Sequence, residues 1–210
     1  MHRYDPARQR LALGLAGLAG LVDATGFVVA GGYFTSFMSG NTTRMGVELV
    51  ERPALALAPL GLIACFLTGV IAGALTGRRF RGRHKRVLLG MIAVLLAGGA
   101  GLLVAGLPIP FLGASAMAMG LANNVFSRDG EVTVGVTYMT GALVRFGQGL
   151  AARLAGEALP STRGYGVLWN ALALGAAAGG GLCLVEPAWA AIAAMLGALA
   201  LWSFAFTVER

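Results

Sequence analysis

Six apolar runs set what this chain can fold into: Leu11 to Tyr33, Leu55 to Thr76, Val87 to Gly106, Ile109 to Phe126, Gly166 to Val185, and Ala188 to Phe206. A helix needs about 20 largely apolar residues to cross a bilayer core, and each run meets or approaches that length. The chain therefore reads as an all-α membrane protein of six transmembrane helices, the fourth being the shortest. Pro108, Pro110 and Pro187 mark two tight turns between runs, where proline punctuates helices without breaking them. Charged residues make up only 12% of the chain and hydrophobic ones 57%, against roughly 25% charged in an average soluble domain. The 33 glycines follow no collagen-like period; in a membrane, small residues let helices approach closely. Residues 1–210 form one transmembrane domain.

The first run follows Arg3, Arg8 and Arg10 as the core of a signal peptide would. It exceeds the roughly 7–15 apolar residues of such a core and contains an acid, Asp23, so it is expected to remain as a span. The net charge of +7 sits in the loops between runs, without interleaved aromatic residues. Insertion topology explains it and nucleic-acid binding does not. With the amino terminus in the cytoplasm, fourteen of the sixteen lysines and arginines fall inside, including the basic loop 78–86, and only Arg44 and Arg52 fall outside. Both termini are thus expected to be cytoplasmic.

The chain also repeats itself. Met38, Gly40, Arg44 and Gly46 find Met139, Gly141, Arg145 and Gly147 at one constant offset, with Ser39 opposite Thr140. Asp23 falls opposite Asn123 once one residue is inserted. This indicates an internal duplication, repeat 1 over about 11–106 and repeat 2 over about 109–208. Three spans per repeat is an odd number, so the second copy is inverted relative to the first. In each copy a stretch too short and too mixed to span, Thr42 to Arg52 and Thr140 to Ala155, reads as a short broken or re-entrant helix that dips partway or lies along the interface. Gly69, Gly73 and Gly77 share one helix face, as do Gly175 and Gly179; close packing is the expected reason, a substrate path the other.

Asp23 is the sharpest chemical signal. A charged acid at mid-span costs roughly 2.5–3.5 kcal/mol on insertion scales, and such residues usually face the bundle interior or a watery cavity. One reading makes it a proton- or cation-responsive site. The other makes it structural, paired with Arg44 or Arg145 or hydrogen-bonded in neutral form. Asn123 and Asn124, ahead of Ser127, stand at the matching place of the fourth run, and the duplication leads us to expect that Asp23 and this pair meet. The polar clusters Ser39-Gly40-Asn41-Thr42-Thr43 and Thr140-Gly141 place glycine beside a hydroxyl just before a helical stretch, suited to polar ligands or to ordinary capping. Arg44 and Arg145 either reach an anionic group or anchor at the interface. The candidate ligand- or ion-binding set is therefore Asp23, Ser39, Asn41, Thr42, Arg44, Asn123, Asn124, Thr140 and Arg145.

Catalysis is not expected. The two histidines, His2 and His84, lie among basic residues outside the runs, which leaves neither a histidine metal site nor a serine–histidine relay inside the bundle. No phosphate-binding loop occurs, and Asp23 lacks the second carboxylate of aspartyl chemistry. No cofactor or metal is called for, and Cys65 and Cys183 read as small packing residues.

Gly20-Leu21-Val22-Asp23-Ala24, Phe34 followed by Met38-Ser39-Gly40-Asn41, and Thr137-Tyr138-Met139-Thr140-Gly141 together resemble the YoaK-like family of bacterial membrane proteins, a domain of unknown function. That family's pattern has an Asp in the first span, a Phe before a Thr-Gly-Asn cluster and a later Thr-Gly cluster; Ser39 stands here in place of the first threonine. The resemblance covers essentially the whole chain and implies a multi-pass protein of the bacterial inner membrane, without supplying a substrate. The leading expectation is a transporter-like protein, moving a small polar solute or ion by secondary transport through a midplane site containing Asp23, with the lipid bilayer and a second copy of the chain as partners. The alternatives are a channel for ions or small solutes, and a non-transporting scaffold that binds another membrane protein.

Overall fold

The computed structural model describes residues 5–128, 131–132, 139–157 and 162–209. Thr137 and Tyr138 of the motif, with His2, Arg3 and Arg210, lie outside these, as do the side chains of Ser127, Arg128 and Arg163. The described residues are almost wholly helical: α1 Pro6–Val29, α2 Met38–Glu51, a 3-10 turn Pro53–Ala56, α3 Leu57–Arg79, α4 His84–Val104, α5 Pro108–Ala122, α6 Met139–Leu154, α7 Arg163–Val185 and α8 Pro187–Val208. A two-residue antiparallel ladder pairs Ser127 with Val132 and Arg128 with Glu131. Proline opens α1, α5 and α8, where its missing N–H costs nothing. Asp5 caps α1 by accepting the Ala7 N–H at 3.0 Å.

Five helices, α1, α3 with the turn before it, α4, α7 and α8, are long and apolar enough to cross a membrane. Among the described residues the sixth expected span is not of this length. The run Ile109 to Phe126 yields α5, a helix of 15 residues, about 22 Å long and short of the roughly 30 Å core. The asparagines end it. Asn123 Nδ2 donates back to the Met119 carbonyl at 3.0 Å and Asn124 Nδ2 to the Gly120 carbonyl at 3.3 Å, so their amides bond to the last turn while residues 123–126 leave the helix.

The bundle is built on two tight crossings. In the first, α1 meets α7: a Cβ on Gly20 would overlap the Leu172 carbonyl and crowd Ala176 N, and one on Gly175 would overlap the Gly17 carbonyl. In the second, α5 meets α3 in the same way: a Cβ on Gly120 would overlap the Phe66 carbonyl and crowd Val70 N, and one on Gly69 would overlap the Met117 carbonyl. Only glycine lets the backbones come this close, and Gly69, Gly73, Gly175 and Gly179 are packing residues.

Contacts also fix the helix directions. Gly17 faces Gly175 and Leu21 faces Gly179, so α1 and α7 are parallel; Gly69 faces Met117 and Gly73 faces Asn124, so α3 and α5 are parallel. Gly14 meets Leu201 and Gly197 meets Leu18, which sets α8 against α1. α4 runs opposite to α8, with Gly90 on Trp202 and Ala100 clustered with Ala191, and opposite to α5 through Gly99 and Phe111. It follows that α1 and α5 run in opposite directions. Leu11, Leu15, Leu88, Leu89, Ile92, Met119 and Leu121 fill the centre, fully buried. One end of the bundle carries the start of α1, the Arg78 to Arg86 turn and the end of α8; the other carries the segment between α1 and α3.

Candidate functional site

Beyond Val29 the chain turns through Gly31 and Gly32, whose φ angles of 65° and 108° are open to glycine and strained for other residues. It then folds back along α1. The Thr35 and Ser36 N–H groups each donate to Asp23 Oδ1 at 2.8 Å, and the Thr35 hydroxyl lies 3.3 Å from the same oxygen and 3.3 Å from the Val22 carbonyl. Asp23 stands six residues before the end of α1, so this backbone has returned about 9 Å along the helix. Non-helical N–H groups at such depth have no water to bond and cost several kcal/mol each if left bare. An acid in an apolar span is the acceptor that satisfies two of them at once.

From there α2 climbs back outward, fastened to the returning segment rung by rung. Asn41 is wholly buried in the first turn of α2; its Oδ1 accepts the Phe34 N–H at 2.9 Å and its Nδ2 donates to the Phe34 carbonyl at 2.7 Å. The Phe34 ring lies 5.1 Å from Phe27 and edge-on to Phe37 at 5.2 Å. One turn further, Arg44 Nη1 donates to the Gly32 carbonyl at 2.9 Å while its guanidinium sits 4.6 Å over the Tyr33 ring. Glu48, buried, accepts the Tyr33 hydroxyl at 2.6 Å and pairs with Arg44 at 3.6 Å. Residues 30–51 form a hairpin that folds back along α1 and is held almost entirely by side chains.

Other candidate residues fall elsewhere. Ser39 and Thr42 are exposed, and they lie inside α2 rather than ahead of it. The helix already begins at Met38, with no side-chain cap, and the Thr42 hydroxyl donates back to the Met38 carbonyl at 2.8 Å. Thr140 is likewise exposed, in the first turn of α6. Arg145 donates to the Tyr165 hydroxyl at 2.7 Å and lies 5.2 Å over its ring, tying α6 to α7. Asn124 Nδ2 reaches the Val70 carbonyl at 3.2 Å, so it also joins α5 to α3.

Asp23 does not meet the asparagine pair. Its hydrogen bonds go to Thr35 and Ser36, and its ionic pairing with Arg44 or Arg145 is not formed either. Both residues follow a crossing glycine by three positions, Gly20 and Gly120, on helices of opposite direction. They are therefore carried toward opposite ends. Sequence reasoning missed Tyr33, Thr35, Ser36 and Glu48. Glu48 had a signal, its four-residue spacing from Arg44; Thr35 and Ser36 had none, because their shortest bonds to Asp23 come from backbone N–H groups that every residue but proline has. Among the described residues no three metal-ligating side chains cluster.

No solved structure matches the chain. A UPF0700 transmembrane protein of Rhizobium meliloti (strain 1021) is 37% identical to it over 150 residues, which are 68% of this chain and 64% of the relative's length. An acid in the first helix and an asparagine in the first turn of the next fasten one hairpin of a multi-helix membrane protein. The family described as "Protein of unknown function (DUF1275)" matches residues 11–204, and the chain belongs to it.

Proposed function

We propose that the chain is a transporter-like protein that moves a small polar solute or ion across the bacterial inner membrane by secondary transport, with the hairpin 30–51 as the movable barrier on one side. The observation that carries this is the returning backbone at the depth of Asp23. Irregular backbone inside the membrane occurs where it is buried in protein or lines a water-filled cavity, and broken segments at corresponding places of two inverted halves mark transporter binding sites. Support for inverted halves comes from the constant motif offset, the matched glycine crossings and the opposite directions of α1 and α5. The distribution of lysine and arginine supports cytoplasmic termini, with the hairpin on the outer face.

Within this reading Asp23 and Asn41 are positioning residues. The groups that meet solute are the exposed hydroxyls of Ser39 and Thr42 on α2 and of Thr140 on α6, with Arg44 and Arg145 fixing the two short helices and Asn123 and Asn124 the end of α5. A scaffold that moves nothing is the second reading, favoured by the use of Asp23 on its own loop. Purified chain in liposomes, under proton and cation gradients, separates the two. We expect gradient-driven accumulation of one class of small polar solute, its loss in Asp23→Ala, and slower thiol labelling of Thr42→Cys in its presence. A folded sample that accumulates nothing, with labelling indifferent to every solute tried, moves the scaffold to the front.

A further inference from the structure

The outer surface between α4 and α8 carries a groove of about 580 Å³, lined without a polar surface by Gly90, Val94 and Ala97 of α4, Met117 of α5, and Leu199 and Trp202 of α8. Its floor is low because Gly90 has no side chain and lies against the Trp202 indole. Val94 on its wall is 72% exposed. Arg86, Gly90 and Val94 follow one another at four-residue spacing, so they share one face of α4. The groove therefore runs toward the basic end of the bundle, where Arg78, Arg79, Arg81, Arg83, Lys85 and Arg86 crowd within nine residues.

One acid at that end, Glu209, is already committed. Glu209, at the end of α8, accepts the N–H groups of Lys85 at 2.9 Å and Arg86 at 3.2 Å, so it caps α4 from another helix. Arg86 answers by donating to the Glu209 carbonyl and resting 5.0 Å over the Phe206 ring. The aromatic pair Phe206 and Trp202, 5.9 Å apart, then leads from this cap up to the groove. Arg83, the residue that opens α4, remains exposed beside the cap.

We propose that this surface is a binding site for one anionic phospholipid: an acyl chain lies in the α4–α8 groove and the phosphate sits against the exposed Arg83, Arg86 being paired with the Glu209 carboxylate at 3.7 Å. A hydrocarbon chain fills a groove that offers no hydrogen bond, and a negative headgroup at its end meets a cationic turn at the depth where headgroups lie. A zwitterionic lipid fills the groove equally well but gains less from Arg83.

The test uses purified full-length chain in detergent, with phosphatidylglycerol and phosphatidylcholine of identical acyl chains, read by native mass spectrometry and by the thermal unfolding midpoint. The expected result is one retained phosphatidylglycerol per chain, preferred about tenfold over phosphatidylcholine, the size that basic side chains at a membrane surface provide. Val94→Trp, a change at an exposed position, should fill the groove and abolish the retained lipid. Arg83→Gln should leave chain binding and bring the two lipids to near-equal retention. Free glycerol phosphate should neither be retained nor raise the midpoint. The proposal is overturned if wild type retains both lipids equally, if Val94→Trp keeps the lipid, or if Val94→Trp instead splits a dimer into monomers, which would make the groove a contact between copies.

Discussion

Asp23 and Asn41 show how few atoms hold the hairpin. Asn41 serves both polar groups of the Phe34 backbone, so Asn41→Ala leaves a buried donor and a buried acceptor bare. At about 1–3 kcal/mol for each orphaned group, a loss of about 2–6 kcal/mol is expected in detergent unfolding. Asp23→Asn keeps an oxygen that can accept from Thr35 and Ser36, so only a small loss is expected, and a larger one for Asp23→Ala, which leaves both N–H groups bare. Equal stabilities for Asp23→Asn and Asp23→Ala would mean that Oδ1 is not what pins the hairpin. The importance of Asp23 was legible because an acid is expensive in an apolar run. Its partners were not, because they are main-chain groups whose position depends on how the segment after α1 turns.

At the scale of the helices, the two glycine crossings should respond alike. Gly20→Ala and Gly120→Ala each drive a methyl group into a carbonyl oxygen of the facing helix, Leu172 or Phe66, at an expected cost of about 1–3 kcal/mol. Gly77 and Gly180 have open space around them, and alanine there should be neutral or stabilise by up to about 1 kcal/mol through helix propensity. Unfolding midpoints of the four variants check this; a marked difference between Gly20→Ala and Gly120→Ala would break the correspondence of the two crossings. The existence and order of the helices followed from apolar length, and the two short helices from their mixed composition. The end of α5 did not, since apolar residues continue to Phe126 on both sides of the asparagines that stop the helix at Ala122. Nor did the polar cluster's place inside α2, because Ser39 and Thr42 read as caps until the helix is seen to begin at Met38.

For the whole molecule, the basic end and the hairpin end should lie on opposite sides of the membrane. In a variant with Cys65 and Cys183 replaced, a single cysteine at Arg52 should react in whole cells with a membrane-impermeant thiol reagent, and one at Arg81 only after the cells are opened. The reverse pattern would place the termini outside and the hairpin in the cytoplasm. What the sequence alone determined was the solvent: runs this apolar and this long have no other low-energy environment. What only the tertiary structure decided was which polar groups meet. Opposite directions of α1 and α5 separate Asp23 from Asn123 and Asn124, although the repeat aligns them. The chain instead folds Thr35 and Ser36 back onto the acid, which supplies the acceptor that their N–H groups need once that return has buried them.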